Sequence, residues 1–517
     1  CPSLILEALT RGLEKRFPID SLARVWRDAK AMRSARPNLL YIHSDQHDPY
    51  ITGCYGDPYV QTPHLDRLAA QGVLFTNVYC PSPLCVPSRM ALLTGRYPCD
   101  IEVWTNEHIL DSGIPTFAHA MGAAGYRPVL IGRMHALGPD QLHGYVERLV
   151  GDHGPNYPGG RPVDHGILAG TAGPARVSLE KSGPGQSAYQ VHDEDVAAAA
   201  VDYLNRLGVR KRAGLLREPF NLSVGFMLPH QPYVARRDDY ARYEGKVPPP
   251  RCPEPFSERL HPYIRWWRTR CGIEQVSDAE VMRARTAYYA LVTRLDALIG
   301  QILDALYTND LAENTIILYS SDHGEQLGEH GLWWKQTFYE HAVKVPAILV
   351  WPGVLPAGMR CERVLSALDL IATLLDALGA PALPHGRGRS VLPLLQNPDH
   401  PWDDTAFSEL CTDEGWYMRM IRRGNWKLCY YHGHKPQLFD LARDPEERCD
   451  LAQDPACREI RAELTQRVLA GWDPEAIAGR MQAKRADLAL LRAWARRTQP
   501  PDHYRWTLLP EMNRLET

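Results

Sequence analysis

Two stretches far apart in this chain share one design, and together they limit the fold more than any other feature. Asn38-Leu39-Leu40-Tyr41-Ile42-His43, bounded in front by Arg36-Pro37, runs into Ser44-Asp45-Gln46. Asn314-Thr315-Ile316-Ile317-Leu318-Tyr319-Ser320 runs into Ser321-Asp322-His323-Gly324-Glu325. Short apolar runs of this kind, each ending in a polar cluster, read as strands buried in a sheet. If the two are neighbours in a parallel sheet, Asp45 and Asp322 emerge at one carboxyl edge, where open α/β sheets bind ligands. A single acid there can simply cap the next helix. Two of them, each followed by a side chain with a donor atom, argue for a metal held by Asp45, Gln46, Asp322 and His323. Oxygen donors with one imidazole suit calcium, magnesium or manganese better than structural zinc. Gln46 can equally serve as a hydrogen-bonding neighbour of such a centre.

The rest of the chain alternates strand and helix patterns around these two. An amphipathic helix opens at Pro63-His64-Leu65-Asp66 and stops at Gly72, and Pro128-Val129-Leu130-Ile131 reads as a strand. Helix 193–207, strand 220–227 and helix 279–306 follow, the last with an apolar face of Val292, Leu295, Leu298, Ile299, Ile302 and Leu303. Residues 345–351 form another strand, and 364–375 a further helix. The rhythm predicts an α/β domain over 37–380 with a mostly parallel central sheet flanked by helices. Proline-rich 379–401 marks the boundary of a smaller C-terminal α+β sheet domain, 381–454, in which 418–428 reads as two short strands about Gly424. Residues 455–517 read as helices and a tail whose Tyr504 and Trp506 suit a protruding arm that docks on another subunit. Residues 1–36 read as a helical arm.

Composition narrows the function classes. The chain has 517 residues, 44% of them hydrophobic, with a formal net charge of -3. Nothing in that balance points to nucleic acid or an anionic membrane as partner. No apolar run reaches the roughly 18 residues of a membrane span. Residues 1–36 carry scattered basic side chains rather than a signal-peptide pattern, and the twelve cysteines lack close pairing, so the expected compartment is the cytoplasm.

The stretch richest in chemistry is Cys80-Pro81-Ser82-Pro83-Leu84-Cys85-Val86-Pro87-Ser88-Arg89. With Pro87 in a first helical turn, Cys85 lies at the helix mouth, where free N–H groups favour an anion, and Arg89 follows one turn on. Cys85 can then be a thiolate nucleophile, a metal ligand or a buried structural residue. Cys80, five residues away, does not give zinc-finger or thioredoxin spacing.

The pattern C-x-P-S-R at Cys85 to Arg89 resembles the signature of the sulfatases, and three further segments extend the resemblance from about Pro37 to Ala452. They are Gly132-Arg133-Met134-His135, Leu228-Pro229-His230-Gln231-Pro232, and Gly328-Glu329-His330-Gly331-Leu332-Trp333-Trp334-Lys335. The resemblance implies an alkaline-phosphatase-like fold and conversion of Cys85 to formylglycine, whose hydrated aldehyde is the nucleophile. It implies one divalent metal among Asp45, Gln46, Cys85, Asp322 and His323, calcium first and manganese as the alternative. It gives His135 the role of base, makes Arg89, Arg133 and Lys335 counter-charges, and sets His230, Lys335 and Asn106 against the substrate. Asn106 can otherwise be an ordinary turn residue.

The implied reaction is hydrolysis of aryl or small alkyl sulfate monoesters through a covalent sulfate hemiacetal. The implied partners are a small-molecule sulfate ester, a formylglycine-generating or other maturing enzyme, and further copies of the chain in a homo-oligomer. Three positions depart from the family pattern. Gln46 replaces a second aspartate, Arg133 replaces a lysine, and His323 is similar to the phosphonate monoester hydrolase branch, which makes phosphonate monoester or phosphodiester hydrolysis the alternative. From another class, a noncatalytic anion-binding or structural α/β protein stays open. Residues 132–145 resemble the choline sulfatase branch. The aromatic segment 236–271, with Tyr240, Tyr243, Tyr263, Trp266 and Trp267, can wall a pocket or cage a quaternary ammonium, or simply pack under long loops. Glycine- and proline-rich 151–190 reads as loops over or near the site.

Overall fold

The computed structural model describes residues 36–516. The expected helical arm over 1–36 therefore falls outside the described residues apart from Arg36. The first domain runs β1 (Asn38–Asp45), α1 (Pro63–Gln71), β2 (Val73–Tyr79), α2 (Cys85–Thr94), β3 (Arg127–Gly132), β4 (Glu147–Leu149), α3 (Ala188–Arg212) and β5 (Phe220–Pro229). It continues through α4 (Asp278–Thr308), β6 (Thr315–Ser321), β7 (Lys344–Val350), β8 (Met359–Ser366) and α5 (Ala367–Ala377). Its eight strands form one sheet in the order β8-β2-β7-β6-β1-β5-β3-β4. Strand β7 runs antiparallel to both neighbours, and the other pairings are parallel.

The two acid-bearing runs are adjacent strands, as their shared design predicts. Ser44 of β1 stands opposite Ser321 of β6, so Asp45 and Asp322 leave the sheet side by side. Strand β5 pairs the other side of β1 and is buried at every residue, as expected for a strand covered on both faces. Helices α3 and α4 pack on each other and over β5. The apolar face predicted for α4 is buried throughout, and the helix starts at a capping box in which Ser277 accepts from Glu280 N and the Glu280 side chain accepts from Ser277 N.

The C-terminal domain is an antiparallel sheet of β9 (Thr405–Cys411), β10 (Tyr417–Arg423), β11 (Trp426–Tyr431) and β12 (Gln437–Asp440), backed by α6 (Arg458–Leu469) and followed by α7 (Pro474–Thr498). Gly424, at φ 53°, makes the β10–β11 turn, a conformation that favours glycine. Lys427 of β11 is fully buried and locks the two domains together. Its ammonium lies 2.9 Å from Glu340 and also pairs with Glu447, while Tyr79 donates to the other Glu340 oxygen. A buried charge of this kind is tolerated because each partner neutralises and hydrogen-bonds it.

Two expectations need correction. Residues Val364 to Ser366 belong to β8 rather than to the following helix, since they pair with Asn77 to Tyr79. Ser366 caps α5, accepting from Leu368 N while Asp369 accepts from Ser366 N, and this boundary is invisible to an apolar run read as one helix. The tail is no protruding arm. Arg514–Leu515 pairs with Gly185–Gln186 in a three-stranded sheet completed by Val234–Ala235. Trp506 N donates to Asp152 O, Trp506 Nε1 donates to Asp195, and Ala188 N donates to Asn513 Oδ1. Trp506 and the backbone after it are thus held within the chain, while the Tyr504 ring stays about half exposed. Among the described residues no helix is long and apolar enough to cross a membrane.

Candidate active site

The sheet edge, the mouth of α2 and three loops converge on one buried cluster. Cys85 is the first residue of α2, with Pro87 in its first turn, as the sequence predicts. Leu84, its N-cap, makes no capping bond, and Val86 N is taken by Asn106 Oδ1 at 3.0 Å. Asn106 thus secures the helix mouth while its residue also lines the adjoining cavity. The Cys85 sulfur is 3.2 Å from His323 Nε2 and 3.7 Å from Asp45 Oδ1. Ligand atoms of Asp45, Cys85, Asp322 and His323 all lie within 4.8 Å of one another, and all four residues are buried. Two carboxylates, one imidazole and the Cys85 position fit a divalent ion with oxygen-rich coordination.

Arginines orient these acids. Arg89 Nε donates to Asp322 Oδ2 at 2.8 Å, and its Nη2 donates to Asp45 Oδ2 at 3.1 Å. Arg133 Nε donates to the same Asp45 oxygen at 2.5 Å. The Oδ2 atoms therefore face guanidiniums, leaving the Oδ1 atoms toward His323 at 3.8 Å and 3.7 Å. Burial alone raises the Asp45 pKa, but Arg133 and Arg89 outweigh it and hold the carboxyl well below its usual range. Arg89 sits behind the cluster and does not line the substrate cavity, so it acts on the site through the two aspartates. Gln46, at φ 66°, donates its backbone N–H to Asp322 Oδ1. Its side-chain amide donates to Gln231 and Glu325, and its side-chain oxygen accepts from Lys335.

Beyond Cys85, the turn after β3 carries Arg133 and His135. It lies directly on β5, where a Cβ on Gly225 would come within 2.0 Å of Arg133 O, so glycine is what permits the approach. Arg133 Nη2 donates to His135 Nδ1 at 2.8 Å, which places the neutral ring's proton on Nε2. Burial, and then Arg133, lowers the His135 pKa and favours that neutral ring. His135 and Cys85 line the same cavity. Asp152, which sequence reasoning missed, anchors the turn. It accepts from His135 N at 2.8 Å, pairs with Arg148 at 2.6 Å and lies 3.6 Å from Arg133.

His230 and Lys335 line the same cavity and meet each other there. Lys335 Nζ lies 2.8 Å from His230 Nε2, and His230 Nδ1 lies 2.6 Å from Gln231 O. The carbonyl can only accept, so the ring carries its proton on Nδ1 and takes a hydrogen bond from the ammonium. Burial and then Lys335 push the His230 pKa well down, which keeps the ring neutral. Glu325, also missed, is fully buried and holds the Lys335 loop. It accepts from Trp334 N at 2.6 Å, Leu327 N at 2.9 Å and Tyr233 OH at 2.7 Å. Burial raises its pKa despite these bonds.

All of this faces a cavity of about 400 Å³ lined by Cys85, Asn106, Arg133, His135, His230 and Lys335. The 151–190 segment supplies part of the wall, as expected, through Asp152, His153, Ala172 and Tyr189. The aromatic residues of 236–271 do not. Tyr240, Tyr243, Tyr263 and Trp267 are buried in packing, and Trp266 stacks with Tyr263 and Trp416 of the C-terminal domain. From that segment Arg270 reaches the rim, where it meets Glu414 at 3.1 Å. Asp413 and Glu414, in the β9–β10 turn, complete the mouth from the second domain.

Fold and site together place a cysteine at a helix N-terminus beside a buried group of possible metal ligands, on the carboxyl edge of an α/β sheet. The family profile described as Sulfatase matches residues 37–380, and the profile described as N-sulphoglucosamine sulphohydrolase, C-terminal, matches 328–471. The chain belongs to the sulfatase family and is a sulfuric ester hydrolase. A choline-sulfatase of Rhizobium meliloti (strain 1021) is 33% identical over 479 residues, covering 88% of this chain and 90% of that one. Human arylsulfatase K is 30% identical over 451 residues, covering 80% and 79%. The crystal structure of a phosphonate monoester hydrolase of Agrobacterium radiobacter has the same fold, with a TM-score of 0.70, 24% identity, and coverage of 84% of this chain and 95% of that one.

Proposed function

We propose that this sulfatase hydrolyses small sulfate monoesters, with choline sulfate as its candidate natural substrate and aryl sulfates as surrogates. The observation that carries the reading is the position of Cys85, its sulfur 3.2 Å from His323 and 3.7 Å from Asp45 at the floor of a polar cavity. The similarity to a choline-sulfatase supports the choice of substrate. The Tyr189 ring in the wall suits a cationic head, while Asp413 and Glu414 at the mouth are already paired with Arg485 and Arg270.

Asp45, Asp322 and His323, with Gln46 beside them, would hold a divalent ion, calcium first and manganese as the alternative. A formylglycine formed from Cys85 would supply a hydrated-aldehyde nucleophile, and a divalent ion held by these residues would supply Lewis-acid polarisation of sulfate oxygens. Arg133 and Lys335 both line the cavity and supply positive charge for the anionic group, and Asn106 fixes the helix mouth. Lys335 Nζ, which already donates to His230, is placed to donate to the departing ester oxygen, and neutral His230 orients it. His135 is neutral with its acceptor nitrogen, Nδ1, held by Arg133, so the base role requires Arg133 to release Nδ1 when the anionic group binds. Arg133 supplies charge but no proton transfer, since a guanidinium does not deprotonate.

The test compares kcat/KM for an aryl sulfate, choline sulfate, a phosphonate monoester and a phosphodiester, using protein in which the Cys85 conversion has been verified by peptide mass. Sulfate esters are expected to lead. A phosphonate or diester preference above about tenfold, or about 1.4 kcal/mol of transition-state stabilisation, overturns the ranking. An aryl sulfate turned over without choline sulfate removes choline alone.

A further inference from the structure

The geometry points to Cys252 as a second reactive centre, a thiol activated by His330 that takes small oxidants and soft electrophiles through a cavity separate from the active site. The two residues come from different loops and are locked together. His330 N donates to Cys252 O at 2.6 Å, and Cys252 N donates to the Glu329 carboxylate at 2.8 Å. The sulfur then stands 3.6 Å from His330 Nδ1. Glu254 lies 3.7 Å from the same ring nitrogen, and the ring stacks on Tyr339 at 4.0 Å with a 12° tilt. His330 is 4% exposed, so its charge is held by protein groups and not by water. Cys252 and His330 both open on a cavity of about 690 Å³ between the 252–262 segment and the C-terminal domain.

An imidazolium beside a partly accessible sulfur is the environment that stabilises a thiolate. Burial lowers the His330 pKa, but Cys252 and then Glu254 and Glu447 outweigh it and raise it to about 9, so the ring is charged at neutral pH. Glu447 and Arg448 also face this cavity, but Glu447 is engaged by Lys427. Burial makes Cys54, Cys80, Cys99, Cys271, Cys361 and Cys429 poorer thiolates than an ordinary cysteine. With hydrogen peroxide as oxidant, the Cys252 thiolate attacks one peroxide oxygen, an S–O bond forms as the O–O bond breaks, and hydroxide leaves. The hydroxide takes the His330 proton and departs as water. Sulfur is oxidised by two electrons to a sulfenic acid, and the peroxide is reduced.

The experiment is timed alkylation of the full chain with iodoacetamide at pH 7, read peptide by peptide by mass spectrometry, with Cys449, the exposed thiol, as the internal standard. Cys252 is expected to react about tenfold faster than Cys449 although it is less exposed. His330→Asn, which tolerates the positive φ of 54° at this position, should bring Cys252 down to the Cys449 rate. Dimedone capture after peroxide treatment should mark Cys252 ahead of Cys449. A Cys252 rate at or below that of Cys449 in the unsubstituted protein overturns the inference whether or not the variant folds. So does a fast rate that His330→Asn leaves unchanged in folded protein.

Discussion

Lys335 Nζ stands 2.8 Å from His230 Nε2, joining two loops that are 105 residues apart in sequence at the wall of the substrate cavity. The contact makes Lys335 the proton-bearing member of the pair and His230 its acceptor. Lys335→Ala should therefore lower kcat/KM for an aryl sulfate by about a hundredfold or more, the usual cost of losing a charged donor aimed at the reacting group. A loss below about threefold would place the leaving oxygen elsewhere.

Asp152 is the counter-ion of Arg148 and a near neighbour of Arg133, all three buried. Burial raises its pKa, but Arg148 and Arg133 overcome that effect and keep it ionised. Asp152→Asn leaves Arg148 without its charge partner, while Arg133 keeps Asp45, and thermal or urea unfolding should show a loss of about 3 kcal/mol. It also loosens the turn that holds His135, so activity should fall with stability. Unchanged unfolding would show that water satisfies Arg148.

Much of this was legible beforehand, and the pattern of what was not has a physical basis. Asp45 and Asp322 could be placed because each ends an apolar run whose direction and burial are local properties. Cys85, Arg89 and His135 sit in short spaced motifs. Asp152 and Glu325 escaped because a buried carboxylate that satisfies backbone N–H groups and distant arginines has no local signature. Their partners lie in other segments, as with Gln46 and Tyr233 around Glu325. The aromatic stretch 236–271 misled because composition does not say which way a ring faces, and there Trp266 turns to Trp416. The tail's return onto Asp152 rests on a two-residue strand, too short for periodicity to reveal.

Removing one proposed metal ligand should be visible without any assay. Asp322→Ala is expected to purify without its divalent ion by elemental analysis, while the unsubstituted protein carries about one per chain. Stoichiometric metal in the variant would show that the ligand assignment is wrong. Restoring activity to metal-free protein with calcium and with manganese in parallel separates the two ions.

His330 gives a pH signature of its own. Its folded pKa, raised to about 9 by Cys252 and Glu254 against burial, exceeds the usual 6.5. The imidazolium's contribution is therefore fully present below pH 6.5 and disappears as pH rises through 9. The stability difference between the unsubstituted protein and His330→Asn, measured by urea unfolding, should be about 3 kcal/mol larger at pH 6 than at pH 10. A difference that grows with pH would contradict the pairing.

The central claim is that turnover runs through a formylglycine made from Cys85. The direct measurement follows the Cys85 peptide by mass across preparations with different degrees of maturation and sets the converted fraction, a loss of about 18 Da, against sulfate-ester turnover of the same samples. Turnover proportional to that fraction, extrapolating to near zero for unconverted Cys85, is the expected result. Equal turnover in preparations whose Cys85 remains a thiol would contradict the account.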